Sequence, residues 1–130
     1  MIIIVIDANP IISSLIGGIS REIIFSPLYK FITTQYTIEE VEKYLSYIGK
    51  KSGVNLEEIK EAFELLPIEI YNKNFYEAKM KEAQLIIGNI DRKDIDILAL
   101  VLETHYPLWT EDKDFGNIPR INVIKTKDLV

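Results

Sequence analysis

The sequence predicts an α/β fold in which five short strands form a central, mostly parallel sheet with helices on both faces. Three observations carry this expectation. The chain opens on Ile2–Ile6, a wholly apolar run of β-branched residues of the kind buried on both faces of a parallel sheet. Strand-like runs then alternate with stretches of helical periodicity, the βα pattern that gives parallel strands joined by right-handed crossovers. No internal repeat, low-complexity tract or Pro/Gly/Ser-rich linker divides the 130 residues, so residues 1–130 are expected to form one domain that buries roughly two thirds of its unfolded surface.

Ile2–Ile6 is expected to be the central strand, and Gly17-Gly18 reads as a helix end. Phe31–Thr34 is a second short strand. Ile38, Val41, Leu45 and Ile48 recur at helical spacing, followed by a turn over Lys50–Asn55 and a second helix with Ile59, Phe63 and Leu66 inward. Ile68–Ile70 is a third strand. A long helix is expected from about Asn72 to Ile87, with Tyr76, Met80, Ala83 and Ile87 on one face, and another from Asp91 or Lys93 to His105 that is apolar nearly all round. Pro107–Thr110 and Asn122–Ile124 supply the last two strands. Ligands of such a sheet sit beyond the carboxyl ends of its strands.

Hydrophobic residues make up 48% and charged residues 27% of the chain, an ordinary globular balance with little room for long disordered segments. The absence of cysteine excludes disulfides, thiolate zinc sites and cysteine nucleophiles, and fits a reducing cytoplasm. Ile2–Ile6 is too short, and lacks the basic start, for a signal peptide, and no run approaches the ~20 apolar residues of a membrane span. A soluble, cytoplasmic protein is expected. The formal net charge of −5 argues against a general nucleic-acid binder, which usually carries a basic surplus. It leaves a nuclease open, because divalent cations reverse the sign of an acidic site before phosphate arrives.

Four separated segments deliver carboxylates to one rim. Asp7 directly follows the first strand. Glu40 lies one turn into the helix after the second, Asp94 begins the helix that leads into the fourth, and Asp112 and Asp114 sit in the loop that follows it. Gathered there without a nearby cation, these groups would repel one another and be partly protonated. Hard oxygen donors, no cysteine and a single histidine favour magnesium or manganese over zinc or copper. Two such ions would let water attack a phosphodiester in line while the leaving oxygen is stabilised, with no protein nucleophile.

Each carboxylate also has a structural role open to it. Glu40 stands at capping-box spacing from Thr37; Asp91 and Asp94 suit the first turn of a helix; Asp112 and Asp114 suit a turn. Asp7 could cap the segment after its strand, although Asn9 and Pro10 already supply that chemistry. The functional reading rests on the conjunction. His105, the only histidine, reads as a helix-end or surface residue. Ser13 and Ser14 lack a histidine partner and a G-x-S-x-G context, and Gly17-Gly18 lacks the lysine and spacing of a phosphate loop. Thr110 could hold a water or a ligand, or bond to the backbone. Lys50, Lys51, Lys113 and Arg120 are the basic residues considered for phosphate contact. Tyr29, Phe31, Tyr36, Tyr44 and Tyr47 are read as core, with a partner or dimer surface as the alternative.

The same residues resemble the PIN-domain family in order and spacing over almost the whole chain. Ile-Val-Ile-Asp7-Ala-Asn9 resembles its opening strand and first metal-binding aspartate. Ile38-Glu39-Glu40-Val-Glu-Lys-Tyr44 resembles the helix with its glutamate, and the aliphatic residue after Glu40 favours it over Glu39. Asp91-Arg-Lys-Asp94-Ile-Asp96 resembles the aspartate that opens an Ala/Leu-rich helix, and Trp109-Thr110-Glu-Asp112-Lys-Asp114-Phe115 resembles the closing T-x-D-x-D-F element, the most specific of the four. The resemblance implies a three-layer α/β/α fold and a magnesium- or manganese-dependent ribonuclease whose ligands are Asp7, Glu40, Asp94 and Asp112. Asp96 and Asp114 are auxiliary candidates. It further implies frequent homodimerisation and, for many small prokaryotic members, a role as toxin beside an antitoxin protein; the central section looks closer to a less-studied branch than to the best-known toxins.

Three other function classes fit the residues less well. A catalytically silent PIN-like module that docks to RNA or a partner protein would not need all four carboxylates. A phosphoacceptor domain needs an aspartate after the middle strand, where Ile68-Glu-Ile70-Tyr-Asn has none, and a dehalogenase-type phosphatase needs Asp-x-Asp where Asn9 stands third.

Overall fold

The computed structural model describes residues 1–130. Its sheet consists of β1 (Ile2–Ile6), β2 (Tyr29–Thr34), β3 (Ile68–Tyr71), β4 (Leu108–Trp109) and β5 (Val123–Ile124) in the order β3-β2-β1-β4-β5. Every pairing is parallel, so the sheet is wholly rather than mostly parallel. β1 is central as expected. The chain winds outward to β2 and β3 on one side, then crosses to β4 and β5 on the other, which opens a crevice at the carboxyl end of β1.

Period-two alternation divides the strands between two cores. Ile4, Ile6, Phe31 and Trp109 face the first, with α1 (Ala8–Ile16), α2 (Ile19–Ile24), α3 (Gln35–Lys43), α4 (Leu45–Ser52) and α5 (Leu56–Leu65) packed over them. Val5, Ile32 and Leu108 face the second, under α6 (Lys73–Tyr76), α7 (Met80–Ile87) and α8 (Ile95–Thr104). α8 buries Ile97 through Leu102 without a break, which explains its lack of a polar face. The result is the three-layer α/β/α arrangement.

Four element expectations need correction. The helix through Ile38 and Ile48 is two helices, broken at Tyr44, whose ψ of −3° ends α3. The expected turn over Lys50–Asn55 begins later, because α4 runs to Ser52 and closes on Gly53 at φ 75°, a left-handed cap that favours glycine. The helix from Asn72 to Ile87 is interrupted by a 3₁₀ turn over Glu77–Lys79; Tyr76, Ala83 and Ile87 still reach one core, so side-chain periodicity cannot reveal the tightening. The last helix starts as a 3₁₀ turn over Arg92–Asp94, capped by Asp91. Gly17 at φ 111° ends α1 as the sequence suggested, and His105 is the exposed, left-handed cap of α8 at φ 61°.

Candidate functional site

A cleft of about 240 Å³ lies at the carboxyl ends of β1, β2 and β4, lined by Asp7, Asn9, Tyr36, Glu40, Asp91, Lys93, Asp94 and Asp112 among others. Parallel strands bring these segments to one edge of the sheet, so the chain folds its acidic segments together despite their repulsion.

Asp7 is only 8% exposed. Its Oδ1 accepts from the Ala8 backbone N–H at 2.8 Å and its Oδ2 from the Thr110 hydroxyl at 2.7 Å, so Asp7, not Asn9 or Pro10, caps α1. The same Thr110 oxygen accepts from Asp112 N–H at 3.0 Å. One buried hydroxyl thus ties the end of β1 to the loop after β4, a backbone bond from Asp7 N–H to Trp109 C=O at 3.1 Å reinforces the tie, and Glu111 N–H reaches Asn9 Oδ1 at 3.4 Å. Burial pushes the Asp7 carboxyl upward, against the pull of its two hydrogen bonds.

Asp94 is 7% exposed, and its Oδ2 is buried with no hydrogen-bond partner. Burial, then the negative charges of Asp7, Asp112, Asp91 and Asp114, push its carboxyl up to about 7. Asp112 Oδ1 accepts from Asp114 N–H at 2.9 Å and caps a 3₁₀ turn, Lys113–Phe115, that the fully buried Phe115 pins to the second core. Asp94, Asp112 and Asp114 each offer a carboxylate oxygen within 4.8 Å of the others. An unpartnered buried oxygen beside two further carboxylates suits a hard divalent cation, which would satisfy the orphaned atom and cancel the repulsion.

Glu40 projects from α3 into the cleft, whereas Glu39 is exposed and does not line it. The alternative capping-box role for Glu40 with Thr37 is not realised: the cap of α3 is Thr34, whose Oγ1 accepts from Thr37 N–H at 2.9 Å. The Glu40 carboxylate instead pairs with Lys43 at 3.1 Å, and this exposed ammonium is held above its ordinary range by that bond. Glu40 and Asp7 line the same cleft but stand outside the tight trio of Asp94, Asp112 and Asp114. Asp96 is drawn away, as it accepts from the Tyr76 hydroxyl and lines a neighbouring cavity.

Two cleft residues were missed as site members. Asp91 was read only as a cap, which it is, through Lys93 N–H at 2.9 Å, yet it also lines the cleft. Lys93 is the one basic residue in that lining; the acidic signals on either side of it drew the reading away. Among the basic candidates, Lys50 borders a different cavity, and Arg120 pairs with Glu82 at 3.1 Å beside the C-terminal end of α8. The aromatic residues divide: Phe31 is buried, Tyr36 and the more exposed Tyr44 border the cleft, and Tyr47 is exposed.

None of the curated proteins matches this chain at a significant level. Among solved structures, that of VapBC2 from Rickettsia felis bound to a DNA fragment from their promoter contains a chain similar to this one, with a TM-score of 0.67 and 16% identity over 95% of this chain and 98% of that chain. At that identity the likeness is one of fold. A family model described as PIN domain matches residues 5–120. Because that match runs from Val5 in the central strand to Arg120 ahead of the last one and takes in all the clustered carboxylates, this chain belongs to the PIN-domain family.

Proposed function

We propose that this chain is a magnesium- or manganese-dependent ribonuclease in which Asp94, Asp112 and Asp114 hold the cation and Asp7 and Glu40 complete its acidic wall. PIN domains are generally nucleases. The observation that carries the metal-dependent reading is Asp94 Oδ2, a buried acceptor with nothing to accept from, on a residue that offers a carboxylate oxygen within 4.8 Å of those of Asp112 and Asp114. A bound cation supplies charge neutralisation at the phosphate and acidifies the attacking water.

The protein's own groups do the rest. Asp7 is fixed by its two hydrogen bonds, so its carboxylate needs no reorganisation when substrate arrives. Thr110 holds Asp7 and the Asp112 loop at one spacing. Asp94 surrenders its proton as the site fills, and Lys93, which has no carboxylate within ion-pair distance, offers a cation to a phosphate in the cleft. The likeness to a chain of the VapBC2 complex supports a role as toxin with an antitoxin protein as partner; that the chain acts as a homodimer, in the cytoplasm and on RNA is part of the same proposal and rests on its PIN-domain membership.

The test incubates the protein with a mixed, structured RNA pool in magnesium, manganese or chelator, beside folded Asp7→Asn and Asp94→Asn variants. Cleavage that requires the metal and vanishes in both variants is the expected outcome. No cleavage in either metal, or equal cleavage by both variants, rejects the assignment in favour of a module that docks without cutting.

A further inference from the structure

Beside the acidic cleft lies a second cavity of about 610 Å³, lined by Tyr36, Met80, Gln84, Gly88, Asn89, Arg92, Ile95 and Asp96. It falls within the roughly 300–1,000 Å³ typical of small-ligand sites. Tyr36 borders both cavities, so the two spaces are neighbours that share one ring. The 3₁₀ turn Arg92–Asp94 also serves both: Lys93 and Asp94 face the cleft while Arg92 faces the second cavity. Arg92 has no carboxylate within ion-pair distance, like Lys93. In a chain of net charge −5, two consecutive unpaired cations beside an acidic cleft fit two successive phosphates of one strand.

The remaining lining has the chemistry of a base pocket. Tyr36 gives a ring on which a base can stack, Met80 and Ile95 give apolar contact, and Gln84 and Asn89 give amides. Asp96 only accepts, and the Tyr76 hydroxyl takes one of its oxygens. An acceptor in that position favours the exocyclic amino group of adenine or cytosine over uracil, which carries a carbonyl oxygen at the corresponding position.

Resting on the ribonuclease reading, we propose that this cavity is the subsite for the nucleotide next to the cleaved phosphodiester of a single-stranded RNA. Tyr36 stacks on its base, Arg92 holds its phosphate, and Asp96 selects an amino-bearing base.

Binding separates this proposal from the catalytic one. Fluorescein-labelled ten-nucleotide homopolymers of A, C and U are titrated with the chain in chelator, by anisotropy, at several salt concentrations. Oligo(A) and oligo(C) are expected to bind about tenfold more tightly than oligo(U). Tyr36→Ala is expected to weaken binding about tenfold and Tyr36→Phe to restore it. Arg92→Gln should weaken all three oligonucleotides alike and lower the salt slope by about one, and Asp96→Asn should narrow the gap to oligo(U) while keeping the acceptor for Tyr76. Arg120→Gln, at the far end of α8, should bind as the parent does. Equal affinity for the three homopolymers, or binding by Tyr36→Ala and Arg92→Gln indistinguishable from the parent, overturns the subsite even if metal-dependent cleavage is intact. Selective binding lost in these variants upholds it even if cleavage fails.

Discussion

Replacing Asp94 by Asn should raise the stability of the metal-free protein and abolish its response to magnesium. Burial and four acidic neighbours push this carboxyl from an ordinary 3.8 up to about 7. The folded state therefore favours the neutral form: the cost of ionisation is absent below about pH 4, grows as pH rises, and is complete above about 7. At about 1.4 kcal/mol per unit the ceiling is about 4 kcal/mol; because the group borders a cleft open to water, about 2 kcal/mol is the working figure at pH 8. With an unfolding entropy near 2.1 cal/mol/K per residue, a chain of 130 residues should gain about 7 °C in Tm. Saturating magnesium reverses the order. At a hundred times its Kd the ion stabilises the parent by about 2.7 kcal/mol and leaves the variant nearly unmoved. Differential scanning calorimetry at pH 8 and pH 5, in chelator and in magnesium, measures all four quantities, and the gap in chelator should shrink at pH 5. A variant that melts below the parent in chelator and shifts equally with magnesium would refute the reasoning, leaving Asp94 outside the cation's ligands.

Three further outcomes follow from the same geometry. Cation affinity should rise with pH through about 7, with most of one proton released per ion at about pH 6 and little at about pH 8 as Asp94 ionises; titration calorimetry in buffers of different ionisation enthalpy counts it, and no released proton at about pH 6 would contradict the assignment. Thr110→Val removes both the bond to Asp7 and the acceptor for Asp112 N–H, so it should cost about 2 kcal/mol and weaken magnesium binding, as read by urea unfolding with and without the ion. Tyr76→Phe removes the bond to Asp96 without touching the carboxylate trio, and should cost about 1 kcal/mol while leaving magnesium affinity at the parent level.

How far the sequence could be read depends on what each signal encodes. A run such as Ile2–Ile6 announces burial on both faces, and the parallel topology then carries Asp7, Glu40 and Asp112 to one edge without any detail of packing. Local punctuation is harder. Tyr76 and Met80 keep helical spacing across the 3₁₀ turn at Glu77–Lys79, and Val41 and Ile48 keep it across the break at Tyr44, so hydrophobic period alone joins elements that the backbone separates. Caps are as hard to place from sequence as breaks are. Asp7 caps α1 because the strand delivers its carboxylate over Ala8 N–H, and Thr34 outcompetes Thr37 because α3 starts three residues earlier than the Thr37–Glu40 spacing suggests. A surface lysine in sequence looks like any other, so Lys93 carries no signal there; only the fold shows it lining a cleft with five carboxylates and no ion-pair partner.

The strands that carry the site are of unequal length. β1 and β2 share four paired positions, whereas β4 joins β1 through two and β5 joins β4 through two. The loop with Asp112 and Asp114 therefore hangs from the shortest part of the sheet, while Asp7 and Glu40 stand on its longest. Local opening confined to residues 108–124 would part the carboxylate trio and leave most of both cores packed. A cation bridging Asp94 to Asp112 and Asp114 fastens that edge to α8, so magnesium should slow amide exchange in 108–124 far more than in β2. The grip on the ion and the lifetime of the sheet's weak margin then become one quantity, seen once as affinity and once as protection.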